Sequence, residues 1–320
     1  MIRTAALLVA TFVLTSAAAR AQTYPSRQIT LIIPFAAGGS NDLVGRAIGK
    51  KLTEAWGQPV VVENRAGAGG LIGTAAVATA APDGYTLLLV SPTFTISPAI
   101  RKTMPFDTVK DFTPVAFIAR SPLLIAASNK LPVRSARELF AQARSNPGQI
   151  TYASAGLGSI NQISTELIAL SAGVRFMHVP YKGGAPALND LVGGHVDIFV
   201  SSLPQVLELA RSGQARALAV TSTRRTALLP DVPTLAESGL SGVDLGTWWG
   251  IAGPAGMPKD IVNALNAELG KILTSPELIT FLTNEGAEAE PMTPQQFGDM
   301  MRMETERWIK VAHEANISID

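Results

Sequence analysis

Ile29-Thr30-Leu31-Ile32-Ile33-Pro34-Phe35-Ala36-Ala37-Gly38-Gly39-Ser40-Asn41-Asp42 reads as an apolar strand, a glycine turn and the opening of a helix. Aliphatics that favour β structure carry the chain to Pro34, which has no N–H to continue a ladder. Gly38 and Gly39 permit the left-handed or close-approach backbone of a tight turn. Ser40 has the side chain of a helix cap, and the first N–H groups of the helix behind it lack internal partners. Their dipoles converge on the space before the turn, which therefore suits a carboxylate or phosphate. An ordinary capped turn of an α/β fold has the same composition, so the rest of the chain must separate the two.

Outward from this turn, strand-like runs recur at Ile29 to Pro34, Val60 to Glu63, Thr86 to Val90, Val115 to Ala119 and Leu124 to Ala127, with helical spacing between them. The pattern restarts at Ile150 to Ser154 and continues through Arg175 to Pro180, Val196 to Val200 and Ala215 to Thr221. Such alternation predicts parallel sheet with crossover helices, in two α/β units. Ser135-Ala136-Arg137-Glu138 and Thr293-Pro294-Gln295-Gln296 are capping boxes. Trp248 to Ala252 returns as a strand, and helices such as Lys259 to Leu273 finish the chain. The chain is thus expected to leave a first lobe near Ser121, build a second, and return near Gly246. Residues 22–121 form the first lobe, 122–246 the second, and 247–320 the return with its C-terminal helices. Two lobes on two crossings form a hinge, and ligand sites favour such interfaces.

Residues 1 to 21 read as a secretory signal: Arg3, an apolar run from Ala5 to Ala19, and Ala19-Arg20-Ala21 as the cleavage pattern. The run is shorter than the roughly 20 residues of a spanning helix. Cleavage after Ala21 removes Arg3 and Arg20, leaving 24 basic against 25 acidic residues, so nucleic acid is not an expected partner. With no cysteine, the chain has no disulfide framework, thiolate site or cysteine nucleophile.

Five ordered blocks carry a resemblance across essentially the whole chain. They are Pro34 to Asp42, Val62-Glu63-Asn64-Arg65-Ala66-Gly67-Ala68-Gly69-Gly70, Pro82-Asp83-Gly84-Tyr85-Thr86-Leu87, Val179-Pro180-Tyr181-Lys182-Gly183-Gly184-Ala185-Pro186-Ala187 and Asp231-Val232-Pro233-Thr234-Leu235-Ala236-Glu237. In that order they resemble the solute-binding proteins of tripartite tricarboxylate transporters, the Bug family. The resemblance implies a type II periplasmic binding protein, with two Rossmann-like α/β lobes joined by two crossover strands. It implies a monomer that closes on a small organic acid and delivers it to integral-membrane permease subunits. No cofactor, metal or chemistry on the ligand is implied.

On this resemblance, Phe35, Gly39, Ser40, Asn41 and Asp42 are pocket members. Asp42 either caps the helix or meets a ligand ammonium or hydroxyl, and the helix dipole favours the cap. The second lobe repeats the design at Tyr152 to Asn161, offering Ser154, Gly158, Ser159, Asn161 and Gln162. Gln162 stands where the family commonly carries histidine, exchanging a switchable donor for a neutral amide. Tyr181 and Gly183 belong to a third turn, beside a Lys182 that solvation explains equally well. Ser91 and Thr93 either line the cleft floor or form a plain turn. Ser201 and Ser202 follow a strand after which many relatives carry an acid, so a ligand without an amine is expected. Alternation sends one of Trp248 and Trp249 toward the cleft, with core packing the simpler reading for either.

Two rivals fit less well. Gly67-Ala68-Gly69-Gly70-Leu71-Ile72-Gly73 fails the dinucleotide fingerprint because Ile72 occupies the third glycine position. An exported serine hydrolase lacks its elbow, since Tyr152 precedes Ser154 where glycine is required, and the three histidines show no metal spacing. A sensor that feeds a signalling partner would use the same cleft.

Overall fold

The computed structural model describes residues 24–318 except 244, 315 and 316; the expected signal segment lies outside the described residues. β1 (Ile29–Ile33), β2 (Val60–Asn64) and β3 (Thr86–Val90) are parallel, with β1 between the other two. α1 (Ser40–Trp56) and α2 (Leu71–Ala78) connect them, and α3 (Pro92–Ile100) follows β3. Both faces of β1 are covered: Ile29, Leu31 and Ile33 enter one core, and Ile32 enters the core on the other face. Its near-continuous apolar run is therefore the mark of a strand buried on both sides.

The two short strands expected at Val115 and Leu124 are one 16-residue strand, β4 (Phe112–Ala127). β4 exchanges partners midway. From Phe112 to Pro122 it runs against β9 (Gly246–Pro254), and from Leu123 to Ala127 it lies between β7 (Ile198–Ser202) and β8 (Arg216–Val220). Its register shifts twice against β9, between Pro114 and Ala116 and between Phe117 and Ala119, and once against β8, between Ile125 and Ala126. Arg120 to Pro122, which read as the break in sequence, instead pair in unbroken register with Trp248 to Gly246.

The second lobe adds β5 (Thr151–Ser154) and β6 (Met177–Pro180) in parallel beside β7. α4 (Ala136–Ser145), α5 (Ile160–Ala172), α6 (Gly184–Gly193) and α7 (Leu203–Arg211) complete it. The strand order is β2-β1-β3-β9-β4-β7-β5-β6, with β8 and the short β10 (Glu288–Ala289) on β4. The sheet is mixed, contrary to the parallel expectation, because β9 is antiparallel to β3 and β4, and β4 is antiparallel to β7 and β8. Helix alternation dictates parallel pairing only within each unit; the strands that cross between units run the other way.

α8 (Lys259–Leu273), α9 (Pro276–Asn284) and α10 (Pro294–Glu314) end the chain. Thr293 and Gln296 form a reciprocal box, each backbone N–H meeting the other's side chain at 3.2 Å or less. At α4, Ser135 accepts from Glu138 N–H, but Glu138 bonds Arg134 N–H instead of the cap residue's own. α10 does not stay with the first lobe: Phe297 packs against Phe117 and Trp248, whereas Trp308 and Ala312 join the core built around Ile125 and Leu139.

Candidate functional site

Five helices start at the seam between the lobes. The helix that opens the sequence argument, α1, is capped by Gly39, with Ser40 already its first helical residue. Ser40 is therefore not the cap expected of it, and no side chain closes that helix end. Gly38 supplies the turn's left-handed conformation at φ +81°. The caps of α3, α6 and α7 are Ser91, Gly183 and Ser202, again without a side-chain bond. Only α5 is closed, Ser159 Oγ accepting from Gln162 N–H. A helix start without a side-chain cap leaves N–H dipoles for something else to satisfy.

The lobes touch across this seam. Ala36 N–H donates to Lys182 O at 3.3 Å, Ile160 N–H to Thr93 Oγ1 at 3.3 Å, and Arg101 Nη2 to Leu157 O at 3.1 Å. They enclose a cavity of about 30 Å³. Phe35, Gly39, Ser40, Asn41, Ser91, Thr93, Ser159 and Asn161 line it, as expected from the sequence. Ala155, Ile160, Gly184 and Ser202, which lie in turns read from the sequence, line it as well, and so do Gln205 and Thr247, to which no motif points. No lining residue carries a formal charge.

The other candidates lie behind this surface. Asp42 is 5 % exposed and its carboxylate accepts from Gly38 N–H, Arg46 Nε and Asn64 Nδ2, each within 2.9 Å. Burial alone would raise its pKa; those hydrogen bonds and the Arg46 charge outweigh it and hold the carboxyl below its usual value. Asp42 thus braces the turn. Gln162 Oε1 folds back onto Gly158 N–H at 2.7 Å, which occupies both residues. Tyr181 hydroxyl donates to Asp190, and burial with that carboxylate pushes its pKa up to about 12. Gly183 packs on Ala36 of the opposite lobe. Ser201 Oγ donates to Gln205 Oε1 at 3.0 Å. The tryptophans point to opposite faces as alternation requires, but both into cores, the simpler reading: Trp249 enters one core of the first lobe and Trp248 the other, so neither reaches the cavity, and Thr247 is the strand residue that does.

Ser154 is fully buried under the second-lobe turn, accepting Gly156 N–H and pairing with His178 Nε2 at 2.6 Å. His178 stacks on Tyr152, and burial pushes its pKa down from 6.5 to about 4. A histidine whose folded pKa is depressed gives stability that is full above its unfolded value and lost as pH falls through the folded one. The melting temperature of the ligand-free protein should therefore drop between pH 6.5 and pH 4. His178→Gln keeps a polar partner for Ser154 and should flatten that stretch of the profile; an equally steep profile would assign the acid sensitivity to other groups.

Comparison with known proteins agrees with this arrangement. The model of the tripartite tricarboxylate transporter family receptor matches residues 44–317. Protein BugT of Bordetella pertussis is 38% identical over 301 residues, covering 93% of this chain and 92% of that protein. The structure of R. palustris Rpa4515 with adipate superposes with a TM-score of 0.89 at 38% identity, over 92% of this chain and 99% of the other. The periplasmic binding protein BugD gives the same TM-score at 34% identity, over 92% and 99% of the two chains. Two α/β lobes closing on an uncharged cavity, with sequence similarity along almost the whole chain, have one meaning: the chain belongs to the tripartite tricarboxylate transporter receptor family, and it is a solute-binding protein of the type II periplasmic binding-protein fold.

Proposed function

We propose that this receptor works in the periplasm, closes on a small organic acid, and hands it to the integral-membrane permease of a tripartite tricarboxylate-type transporter. The observation that carries the reading is the cavity wall: helix starts without side-chain caps converge on it and no carboxylate opposes them. An anion there meets fixed N–H dipoles that need no rearrangement. The related Rpa4515 was solved with adipate, a ligand of this chemistry. Export rests on the leader read at residues 1 to 21, and among the described residues no helix is long and apolar enough to cross a membrane.

The mechanism is a hinged trap. The first lobe up to Ser121, with β9, α8, α9 and the start of α10, forms one jaw, and residues 122–246, with Trp308 and Ala312 of α10 packed on their core, form the other, turning about β4 near Pro122 and the start of β9 at Gly246. Only the closed form brings both sets of helix starts to one ligand, so the ligand shifts the population toward closure. Asp42 keeps its turn rigid, and Phe35, Ser40 and Asn41 form the first-lobe wall.

A thermal-shift screen of the protein against small organic acids, with matched amines and esters, tests this. At one hundred times its Kd, a true ligand adds about 2.7 kcal/mol of stability. Shifts with amines or esters and none with free acids would overturn the reading. Gly39→Leu should bind the same acid about 100-fold more weakly, because its Cβ would lie 3.7 Å from Gly184 N and its bulk would fill the space between the helix starts. Unchanged affinity by calorimetry would remove the first-lobe turn from the site.

A further inference from the structure

Ser202-Leu203-Pro204-Gln205 has the spacing of a capping box, in which the serine hydroxyl and the glutamine amide satisfy each other's backbone N–H groups. The box is not made. α7 has no side-chain cap, and Gln205 Oε1 instead accepts from Ser201 Oγ. Two polar atoms are left over on the cavity wall: Ser202 Oγ, on a residue only 3 % exposed, and Gln205 Nε2, both buried with no hydrogen-bond partner in the protein. A buried polar group in that condition has given up its hydration without replacement, so a ligand that pairs with it recovers the loss.

We propose that Ser202 and Gln205 are specificity-determining residues that bind a second hydrogen-bond-accepting group on the ligand, beyond the carboxylate held by the helix starts, and that they select against ligands bearing an ammonium. The inference rests on the organic-acid reading above. Gln205 fixes the polarity. Its Oε1 is held by Ser201, which turns the amide nitrogen, a donor only, toward the ligand. The amide lies over the first turn of α6, so close that a Cβ at Gly184 would meet Nε2 at 2.1 Å. Donor amide, hydroxyl and helix start thus share one stretch of wall. An ammonium placed there would face donors and positive dipole ends, with no carboxylate to compensate it. Asp42, the acid nearest the site in sequence, is already committed to three donors.

Calorimetry on the intact protein tests this with three probes of equal chain length: an unbranched dicarboxylate, the corresponding monocarboxylate, and the α-amino dicarboxylate. The wild type should bind the dicarboxylate at least about tenfold more tightly than the monocarboxylate, which offers the donors no acceptor, and at least about tenfold more tightly than the α-amino dicarboxylate, whose ammonium would face donors with no carboxylate beside it. Gln205→Leu should lose that advantage, its dicarboxylate affinity falling about tenfold toward that of the monocarboxylate, while a wild-type far-UV circular dichroism spectrum and a cooperative melting curve verify that the variant folds. Gln205→Glu should reverse the preference, losing the dicarboxylate and gaining the amino dicarboxylate. Equal affinities of wild type and Gln205→Leu for the dicarboxylate, with monocarboxylate bound, would overturn the inference alone. No binding of any of the three acids by the wild type would instead overturn the organic-acid reading on which it stands.

Discussion

Gly69→Ala is expected to weaken ligand binding about 100-fold while lowering the stability of the ligand-free protein by only about 1 kcal/mol, the cost of holding one alanine in the left-handed region. Gly69 has φ +65°, and a Cβ there would come within 2.1 Å of Leu157 O, a backbone atom of the opposite lobe. Its neighbour Ala68 already adopts φ +50°, so the loop can hold an alanine. The collision exists only when the lobes are closed. The substitution should therefore leave each lobe folded and remove the binding-competent population, raising the apparent Kd in proportion. Gly57→Ala is the matching control, since Gly57 also has φ +65° but its Cβ would meet nothing within 4 Å. Calorimetry should separate the two variants, and small-angle scattering at saturating ligand should show Gly69→Ala remaining open. Wild-type affinity in Gly69→Ala would mean that ligand capture does not require this degree of closure.

Phe297→Ala is expected to cost about 3–5 kcal/mol, the usual penalty for emptying a large aromatic site in a close-packed core. Phe297 is fully buried, edge-on to Phe117 at 5.8 Å and to Trp248 at 5.9 Å between ring centroids. Its ring also fills the hollow above Gly250, where any Cβ would fall 2.2 Å from it. Three chain segments meet there: the start of α10 and the two strands β4 and β9 that pass between the lobes. The cavity left by truncation cannot be refilled without moving a strand, which places the loss toward the upper end of that range. Denaturant unfolding should show the midpoint fall; a loss below about 1 kcal/mol would mean that the site collapses to fill the gap.

Much of the fold was legible because its elements follow local rules. Alternation between apolar strands and amphipathic helices located nearly every element, and the Thr293–Gln296 box closes as its spacing demands. The continuous β4 was not legible, since prolines at positions 114 and 122 read as breaks until β9, β7 and β8 are there to pair with the strand. Trp248 and Trp249 illustrate the same limit: alternation correctly sends them to opposite faces, but whether a face meets a cleft or a helix depends on α10, which arrives some 50 residues later.

In the site, sequence by itself determined the turns. Strand, glycine turn and helix start are a local unit, and six residues read from such units line the cavity, with Ser91 and Thr93 from the turn after β3. Only the tertiary structure decided which polar atoms remain free within it. Gln162, chosen for its departure from the family's pattern, spends its amide on Gly158, and Ser201 spends its hydroxyl on Gln205. Ser202, one residue further along, is left to face the cavity with Gln205. A motif gives the spacing of donors and acceptors but not their partners, because a polar group in a folded protein bonds to whatever packing brings nearest. The sequence therefore specifies a strand, a glycine turn and a helix start, and the closed lobes determine which polar atoms stay free beside them.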